Sequence, residues 1–137
     1  MPYFLWTDDV ITGNKMVDAE HRKITMLVDT FLASCESGAS VKTVSFQLEK
    51  IAIASNKHFE WENFEMLRIG FINRDIHIAD RVNLLKDLSS LAKEIESGLQ
   101  YSAQDVYCFF KAWLHDHIFI YDIPMVNALQ IFTGSDE

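Results

Sequence analysis

Four stretches of this sequence repeat apolar residues at intervals of three and four positions. That spacing predicts helices with one buried face. The stretches are separated by short connections containing Ser37-Gly38, Gly70 and Ser97-Gly98. No run alternates with a period of two over enough residues to indicate strands. Because helices joined by short loops pack as antiparallel neighbours, the sequence predicts an all-α fold. We expect an up-down-up-down antiparallel four-helix bundle with an N-terminal arm.

Capping and turn residues predict where each helix begins and ends. The first helix is expected to start at Asp18, a good N-cap, because Thr12-Gly13-Asn14 before it is a turn signal. One domain spans residues 1–137, with an arm (1–16), the bundle (17–123) and a short C-terminal segment (124–137). The first three expected helices run from 18 to about 36, from 41 to about 69, and from 73–75 to about 96. The fourth runs from Ser102 to Pro124, which stops or kinks it. Residues 125–132 are expected to add a final turn or two.

Each predicted helix has one side that should face the core, and Trp6 is expected to pack the arm across the bundle. The inward residues of the first two helices are expected to be Ile24, Leu27, Val28, Phe31 and Leu32, then Val44, Leu48, Ile51, Ile53, Phe59 and Phe64. Those of the last two are expected to be Val82, Leu84, Leu85, Leu88, Leu91 and Ile95, then Tyr107, Phe110, Trp113, Leu114, Ile118 and Tyr121.

The composition is that of an ordinary globular chain. At 137 residues, with 49% hydrophobic and 23% charged residues, it is long enough for one sizeable core. The net charge of −8 argues against a nucleic-acid backbone or an anionic membrane as partner. Cys35 and Cys108 form no CxxC motif, so a reducing cytoplasm is the expected compartment. We expect neither a signal peptide nor a membrane-spanning segment.

A histidine and a glutamate stand four residues apart in the second predicted helix. His58 and Glu62 lie about 40° apart round that helix, one turn above each other. An imidazole and a carboxylate so placed can share one cation, and the mixture suits Zn or non-haem Fe and Mn better than Mg or Ca. Taken alone, the two residues fit an ordinary hydrogen-bonded pair better than a metal site.

Other polar residues fall at the same end of the predicted bundle. His21 and His77 are early in odd-numbered helices, whereas His117 and Asp122 are late in the fourth. In an up-down bundle these positions share one end, which is where a metal site in a bundle core would be built. His117 and Asp122 are about 140° apart round a regular helix, so both reach the centre only if the carboxylate bends inward or the helix bulges.

Neighbouring polar residues have simpler interpretations. His115 lies about 160° round the helix from His117, so we expect it to face solvent or a groove. Glu20 and Arg22 flank His21 and are expected to form a solvated surface. The aromatic residues near the site are expected to be core, and they would also form the dry wall of a small-molecule pocket.

Three motifs, spread over nearly the whole chain, carry a family resemblance. Trp6 and Val17-Asp18-Ala19-Glu20-His21 resemble an N-terminal Trp and an Asp-x-x-His motif. His58-Phe59-Glu60-Trp61-Glu62, followed by Met66, matches His-Phe-x-x-Glu, and the run from Trp113 to Asp122 matches Trp-Leu-x-x-His-Ile-x-x-x-Asp. With these motifs the chain resembles a bacteriohemerythrin, a member of the hemerythrin family of O2-binding di-iron bundles.

The resemblance implies a bundle that holds two non-haem irons and binds O2 as its small-molecule ligand. The implied metal ligands are His21 and His58 on one iron, His77 and His117 on the other, and Glu62 and Asp122 bridging both. The chain departs from the family's pattern in the third helix. Where the family carries a further His, four residues after His77, this sequence has Arg81.

Arg81 cannot replace an imidazole ligand, because a guanidinium has no lone pair to offer and stays charged. At about 5 Å, and with an effective dielectric constant of about 20, it would repel a dication by several kcal/mol. Three outcomes are open. Arg81 snorkels away and the second metal keeps two imidazoles. Arg81 takes the metal position and pairs with Glu62 or Asp122. A carboxylate becomes the missing ligand, from among Asp80, Glu65 and Asp116.

Three functional hypotheses follow. The leading one is an iron protein that binds O2 for carriage, storage or sensing. The second is an oxidase or peroxidase that uses a coordination position opened by the missing histidine. The third is a degenerate bundle with one metal or none. Metal content separates the third from the others, and reaction with O2 or peroxide separates the first two.

Overall fold

The computed structural model describes residues 6–98 and 103–133. Within these ranges the chain forms the predicted up-down-up-down antiparallel bundle with an N-terminal arm. The first three helices are α1 (Lys15–Ser37), α2 (Val41–Ile69) and α3 (Arg74–Glu96). The fourth helical rod consists of α4 (Ala103–Phe110), two π-helical stretches (Lys111–Asp116 and Ile118–Asp122) and α5 (Ile123–Thr133). A single 3-10 turn, Asp8–Val10, lies in the arm.

The start of α1 differs from the prediction. Asn14 is the N-cap, and its side-chain oxygen accepts hydrogen bonds from the N–H groups of Met16 and Val17 at 3.0 and 3.1 Å. The Asp18 carboxylate instead turns back to the arm, where it accepts from the N–H and hydroxyl of Thr12 at 2.9 and 2.8 Å. The prediction of Asp18 as N-cap was therefore wrong. Asn14 is an equally good capping residue and stands one turn earlier.

Other helix ends agree with their sequence signals. Gly38 and Gly70 end α1 and α2 with φ of 74° and 64°, a left-handed conformation that costs glycine little. The Ser40 hydroxyl caps α2 by accepting from the N–H of Thr43 at 3.2 Å. The predicted start of the fourth helix at Ser102 lies outside the described residues.

The core forms along the predicted faces, with three exceptions. Ile53, Phe64 and Val82 were predicted to face inward, but their side chains are 62%, 65% and 55% exposed. Ile53 and Phe64 stand two positions after the buried residues Ile51 and Glu62, which places them about 200° round α2. Apolar character alone therefore misplaced them. Trp6 packs against the core as expected.

The fourth rod continues past Pro124 instead of stopping there, and stopping was one of the two outcomes predicted for this residue. The N–H of Ile123 donates to the carbonyl of Ile118, a step of five residues that defines a π turn. Pro124 then falls in the first turn of α5, where a residue without an N–H is tolerated. The helix continues to Thr133. Among the described residues, no helix is both long enough and apolar enough to cross a membrane.

Candidate metal centre

Six polar side chains from all four helical rods meet at one end of the bundle. They are His21 from α1, His58 and Glu62 from α2, His77 from α3, and His117 and Asp122 from the fourth rod, and each is at most 5% exposed. These are the six residues that the sequence singled out. Their ligating atoms form two groups that share both carboxylates.

The first group joins α1 and α2 to Asp122. His21 Nε2 lies 3.0 Å from His58 Nε2 and 3.1 Å from Asp122 Oδ2. His58 Nε2 lies 3.5 Å from Glu62 Oε2. One ligating atom of each of these four residues lies within 4.8 Å of all the others, so a single cation can reach all four.

The second group joins α3 and the fourth rod to the same carboxylates. His77 Nε2 lies 2.9 Å from Asp122 Oδ1 and 3.7 Å from Glu62 Oε1. His117 Nε2 lies 3.1 Å from Asp122 Oδ1. Each group therefore offers two imidazoles and two carboxylates, and the carboxylates stand where they can bridge two cations.

The π-helical stretches explain how His117 and Asp122 reach the same centre. A regular helix would turn residues five apart to faces about 140° apart. A hydrogen-bonded step of five residues, such as the one from Ile123 to Ile118, brings such residues back toward one face. Of the two possibilities that the spacing left open, the helix bulge is the one present.

Two further carboxylates hold imidazoles from outside the centre. Glu20 Oε1 lies 2.6 Å from His58 Nδ1, and Asp80 Oδ2 lies 2.5 Å from His117 Nδ1. Each bond fixes Nδ1 as the proton-bearing nitrogen and turns Nε2 toward the centre, as carboxylates behind metal-ligating histidines do. Glu20 does lie at a partly solvated surface, since its side chain is 37% exposed, but its bond to His58 was not expected. The sequence signal for this contact was the position of Glu20, a carboxylate directly before the predicted ligand His21.

The carboxylates also favour protonated imidazoles when no cation is bound. Burial opposes the charged form of His58, yet the Glu20 hydrogen bond and the charge of Glu62 raise its pKa to about 10. Burial also opposes the charged form of His117, whose pKa the Asp122 carboxylate raises to about 10. Burial favours the neutral form of Asp122, but the charge of His117 and its imidazole hydrogen bonds hold its pKa well below the ordinary value. A metal ion must therefore displace protons from these imidazoles.

Buried atoms without partners test whether a metal would fit. Both oxygens of Glu62 are buried and accept no hydrogen bond, and the same holds for Asp122 Oδ2. Orphaned buried carboxylate oxygens are expensive unless a proton or cation satisfies them. Imidazole nitrogens mixed with carboxylates suit Zn or non-haem Fe and Mn. The donor set therefore fits two such metal ions.

Arg81 follows none of the three outcomes considered for it. Its side chain is 3% exposed, so it does not snorkel to solvent. Its guanidinium turns to α2, where it donates to the carbonyl of Phe59 and to the side-chain oxygen of Asn63. Its Cζ lies 5.5 Å from the centre of the Phe59 ring. Burial lowers the pKa of Arg81, while the nearby carboxylates of Glu62 and Asp122 oppose that shift.

The three candidate replacement carboxylates have other partners. Asp80 holds His117 from behind, Glu65 pairs with Arg68 at 2.6 Å, and Asp116 lies 3.4 Å from His115 Nδ1. None of the three belongs to either group of ligating atoms among the described residues. His115 is likewise absent from both groups and stacks on Phe119 instead, in keeping with its predicted position off the centre.

A small cavity adjoins the first group of ligands. Its walls are mostly apolar and come from α1, α2, α3 and the fourth rod. They consist of Ile24, Ser55, Phe59, Leu84, Trp113, Leu114 and Ile118, together with His21, His58, His117 and Asp122. The space open to the centre of a water-sized molecule is about 10 Å³, about what one water needs.

Comparison with known proteins agrees with this arrangement of helices. No family model matches the chain. Bacteriohemerythrins of Pseudomonas paraeruginosa (strain DSM 24068 / PA7) and Pseudomonas aeruginosa (strain UCBPP-PA14) are each 21% identical over 130 residues, covering 95% of this chain and 84% of the relative. Crystal structures of two hemerythrin mutants superpose with TM-scores of 0.82 at 23% identity, covering 94% of this chain and 98% of the other.

The fold and the buried ligand set thus define a helical bundle with a candidate metal centre in its core. The chain resembles hemerythrins in its fold and bacteriohemerythrins in its sequence. At this level of identity the structural likeness establishes the fold. The ligand set of this chain rests on its own geometry.

Proposed function

We propose that this chain is a non-haem di-iron protein that binds O2 reversibly, for carriage, storage or sensing. One observation carries the proposal. Four imidazole Nε2 atoms and two carboxylates, three of whose oxygens accept no hydrogen bond, converge as two overlapping groups in a buried centre. A structural bundle has no use for such a cluster in its core, because each buried polar atom without a partner costs stability unless a ligand satisfies it.

The residues would divide the work as follows. His21 and His58 would hold one iron, His77 and His117 the other, and Glu62 and Asp122 would bridge them. Bound iron would supply the reversible change of oxidation state that O2 binding requires. Glu20 and Asp80 would orient their imidazoles and strengthen them as ligands.

The surroundings of the centre support binding over turnover. Phe59, Trp113 and Leu114 keep the adjoining cavity small and largely apolar, so only a very small ligand fits there. The indole N–H of Trp113 is already bonded to the carbonyl of Leu84 at 2.9 Å, so it cannot serve as an acid toward a ligand. Excluding water and acids protects a reversibly bound ligand from side reactions.

Iron content and spectra test the proposal. The purified protein, loaded anaerobically with Fe²⁺, should hold two irons per chain and change its absorption spectrum reversibly between air and argon. His58→Ala should lower iron content, whereas His115→Ala, which alters a histidine outside both groups, should not. If the protein binds no iron, or if its absorption spectrum does not change with O2, the proposal is contradicted.

A second function is favoured by the number of imidazoles. With two in each group, both irons would keep open positions, and substrate or peroxide could enter there, giving oxidase or peroxidase activity. Rapid consumption of peroxide by the iron-loaded protein, together with no reversible O2 spectrum, would favour this alternative. Absence of bound metal would instead favour a degenerate bundle.

A further inference from the structure

Ser55 is a buried polar residue that the proposed metal ligation does not use. It is 1% exposed, and its hydroxyl has no hydrogen-bond partner. It stands three residues before His58 on α2, about 4.5 Å along the helix axis. Its side chain lines the small cavity that also touches His21, His117 and Asp122. An unpaired hydroxyl therefore faces the space where a small ligand would lie.

A serine inside a helix usually has a simple alternative, which is to donate to the carbonyl four residues earlier. Two threonines of α1 do so: Thr25 donates to the carbonyl of His21 at 2.8 Å, and Thr30 to that of Met26 at 3.1 Å. Ser55 does not. Leaving a buried hydroxyl unpaired costs stability, so its presence at this point of the core needs another explanation.

The rest of the cavity wall shows what the hydroxyl would add. Apart from the metal-ligand candidates, the described lining consists of Ser55, Trp113 and apolar residues. The N–H of Trp113 is committed to the carbonyl of Leu84. Ser55 is therefore the hydrogen-bond donor left to the cavity among those lining residues that hold no metal.

We propose that Ser55 is a specificity-determining residue whose hydroxyl donates a hydrogen bond to the outer atom of a small ligand in this cavity. The ligand class is a diatomic or triatomic molecule whose outer atom accepts a hydrogen bond, such as O2 or a small anion. The inference rests on the proposed function, because a metal ion must hold the other end of the ligand. Ser55 would select for ligands with negative charge at the outer atom.

Azide is the probe for this role, because it is a small anion whose outer nitrogen accepts hydrogen bonds. Titration of the oxidised, iron-loaded protein should show that Ser55→Ala weakens azide binding roughly tenfold, the effect of losing one hydrogen bond to a charged group. The azide stretching band in the infrared should also shift. Ser45→Ala is the matched control, since the Ser45 hydroxyl on α2 is also buried and unpaired but lines a groove between α2 and α3. It should change neither quantity.

A second readout does not depend on iron. If the hydroxyl serves a ligand, removing it should leave the melting temperature of the chelator-treated protein unchanged or raised. A fall of more than about 4 °C in Ser55→Ala would show that the hydroxyl is structural and would overturn the inference. Unchanged azide affinity and an unchanged band, at equal iron content, would also overturn it while leaving the iron proposal intact. Failure of the parent protein to bind iron would overturn both.

Discussion

At the scale of single residues, Arg81 is the largest departure from the resemblance. It stands where a third imidazole is implied, yet its guanidinium is bound to α2 through the carbonyl of Phe59 and the side chain of Asn63. It therefore neither ligates a metal nor leaves the core. Its charge remains close enough to Glu62 and Asp122 to interact electrostatically with both carboxylates. The second group thus has one ligand fewer than the resemblance implies and has a cation nearby.

Replacing Arg81 separates those two effects. Arg81→His should raise affinity for the second iron and lengthen the lifetime of the O2 adduct, because it adds an imidazole one turn after His77. Arg81→Gln removes the charge without adding a ligand, so it should strengthen the second iron less. Iron per chain and autoxidation rate measure both variants against the parent. If the parent already retains two irons and O2 as long as Arg81→His does, the coordination argument fails.

The outer carboxylates give a second prediction at this scale. Asp80→Asn should weaken metal binding at the second group by about 10–100-fold, the usual cost of losing a carboxylate behind a ligating histidine. Asp87→Asn is the control, because this substitution makes the same change of charge at an exposed position of α3. Competitive titration with a metallochromic chelator measures the affinity. Equal affinities for the two variants would show that the bond from Asp80 to His117 does not orient the ligand.

At the scale of elements, regular periodicity predicted the helices well, and cap and turn chemistry predicted most of their ends. The differences from the predictions lie at single residues near helix ends. Asn14 and Asp18 could each cap α1, and the sequence alone did not decide between them. Pro124 was predicted to stop or kink the last helix, and the π turn before it places Pro124 in the first turn of α5, so the helix does not stop there. The spacing of His117 and Asp122 left two possibilities, an inward-bent carboxylate or a helix bulge, and the structure has the bulge.

The capping assignment can be tested directly. Asn14→Ala should lower the free energy of unfolding by about 1 kcal/mol, because two N–H groups at the start of α1 lose their acceptor. The matched control is Asn73→Ala, since Asn73 is the N-cap of α3 but its side chain makes no capping hydrogen bond. Urea denaturation measures both. Equal losses in the two variants would contradict the assignment of Asn14 as the functional cap of α1.

At the scale of the whole molecule, the up-down topology let the sequence place the six ligand candidates at one end. That deduction needed only helix order and position. Glu20 and Asp80 could not be placed in the same way, because each bonds to an imidazole of another rod, and their contacts depend on rotamers and helix rotation. Ser55 and the path of Arg81 were missed for the same reason. The sequence showed which residues stand near the ligands along the chain, but it did not show in which direction their side chains point.

The buried charges link metal, pH and stability. The pKa values of His58 and His117 are raised to about 10 from a usual value of about 6.5. Their contribution to the stability of chelated protein is therefore fully present below about pH 6.5 and is lost as pH rises toward 10. Metal needs the deprotonated rings, so its affinity should rise over the same window.

Melting temperatures should therefore diverge with pH. Between about pH 7 and 9 the chelated protein should lose stability. The metal-loaded protein should become more stable than the chelated protein, by about 2.7 kcal/mol when free metal is 100 times its dissociation constant. Differential scanning fluorimetry at several pH values measures the gap. Equal melting temperatures with and without chelator would favour a degenerate bundle.

Anomalous diffraction at the iron absorption edge, from crystals of the iron-loaded protein, tests the central claim most directly. Two peaks should lie between the four helical rods. One should be about 2 Å from the Nε2 atoms of His21 and His58, and the other equally close to those of His77 and His117, with Glu62 and Asp122 between them. A single peak, peaks on the protein surface, or none would contradict the assignment of these six residues as a di-iron site.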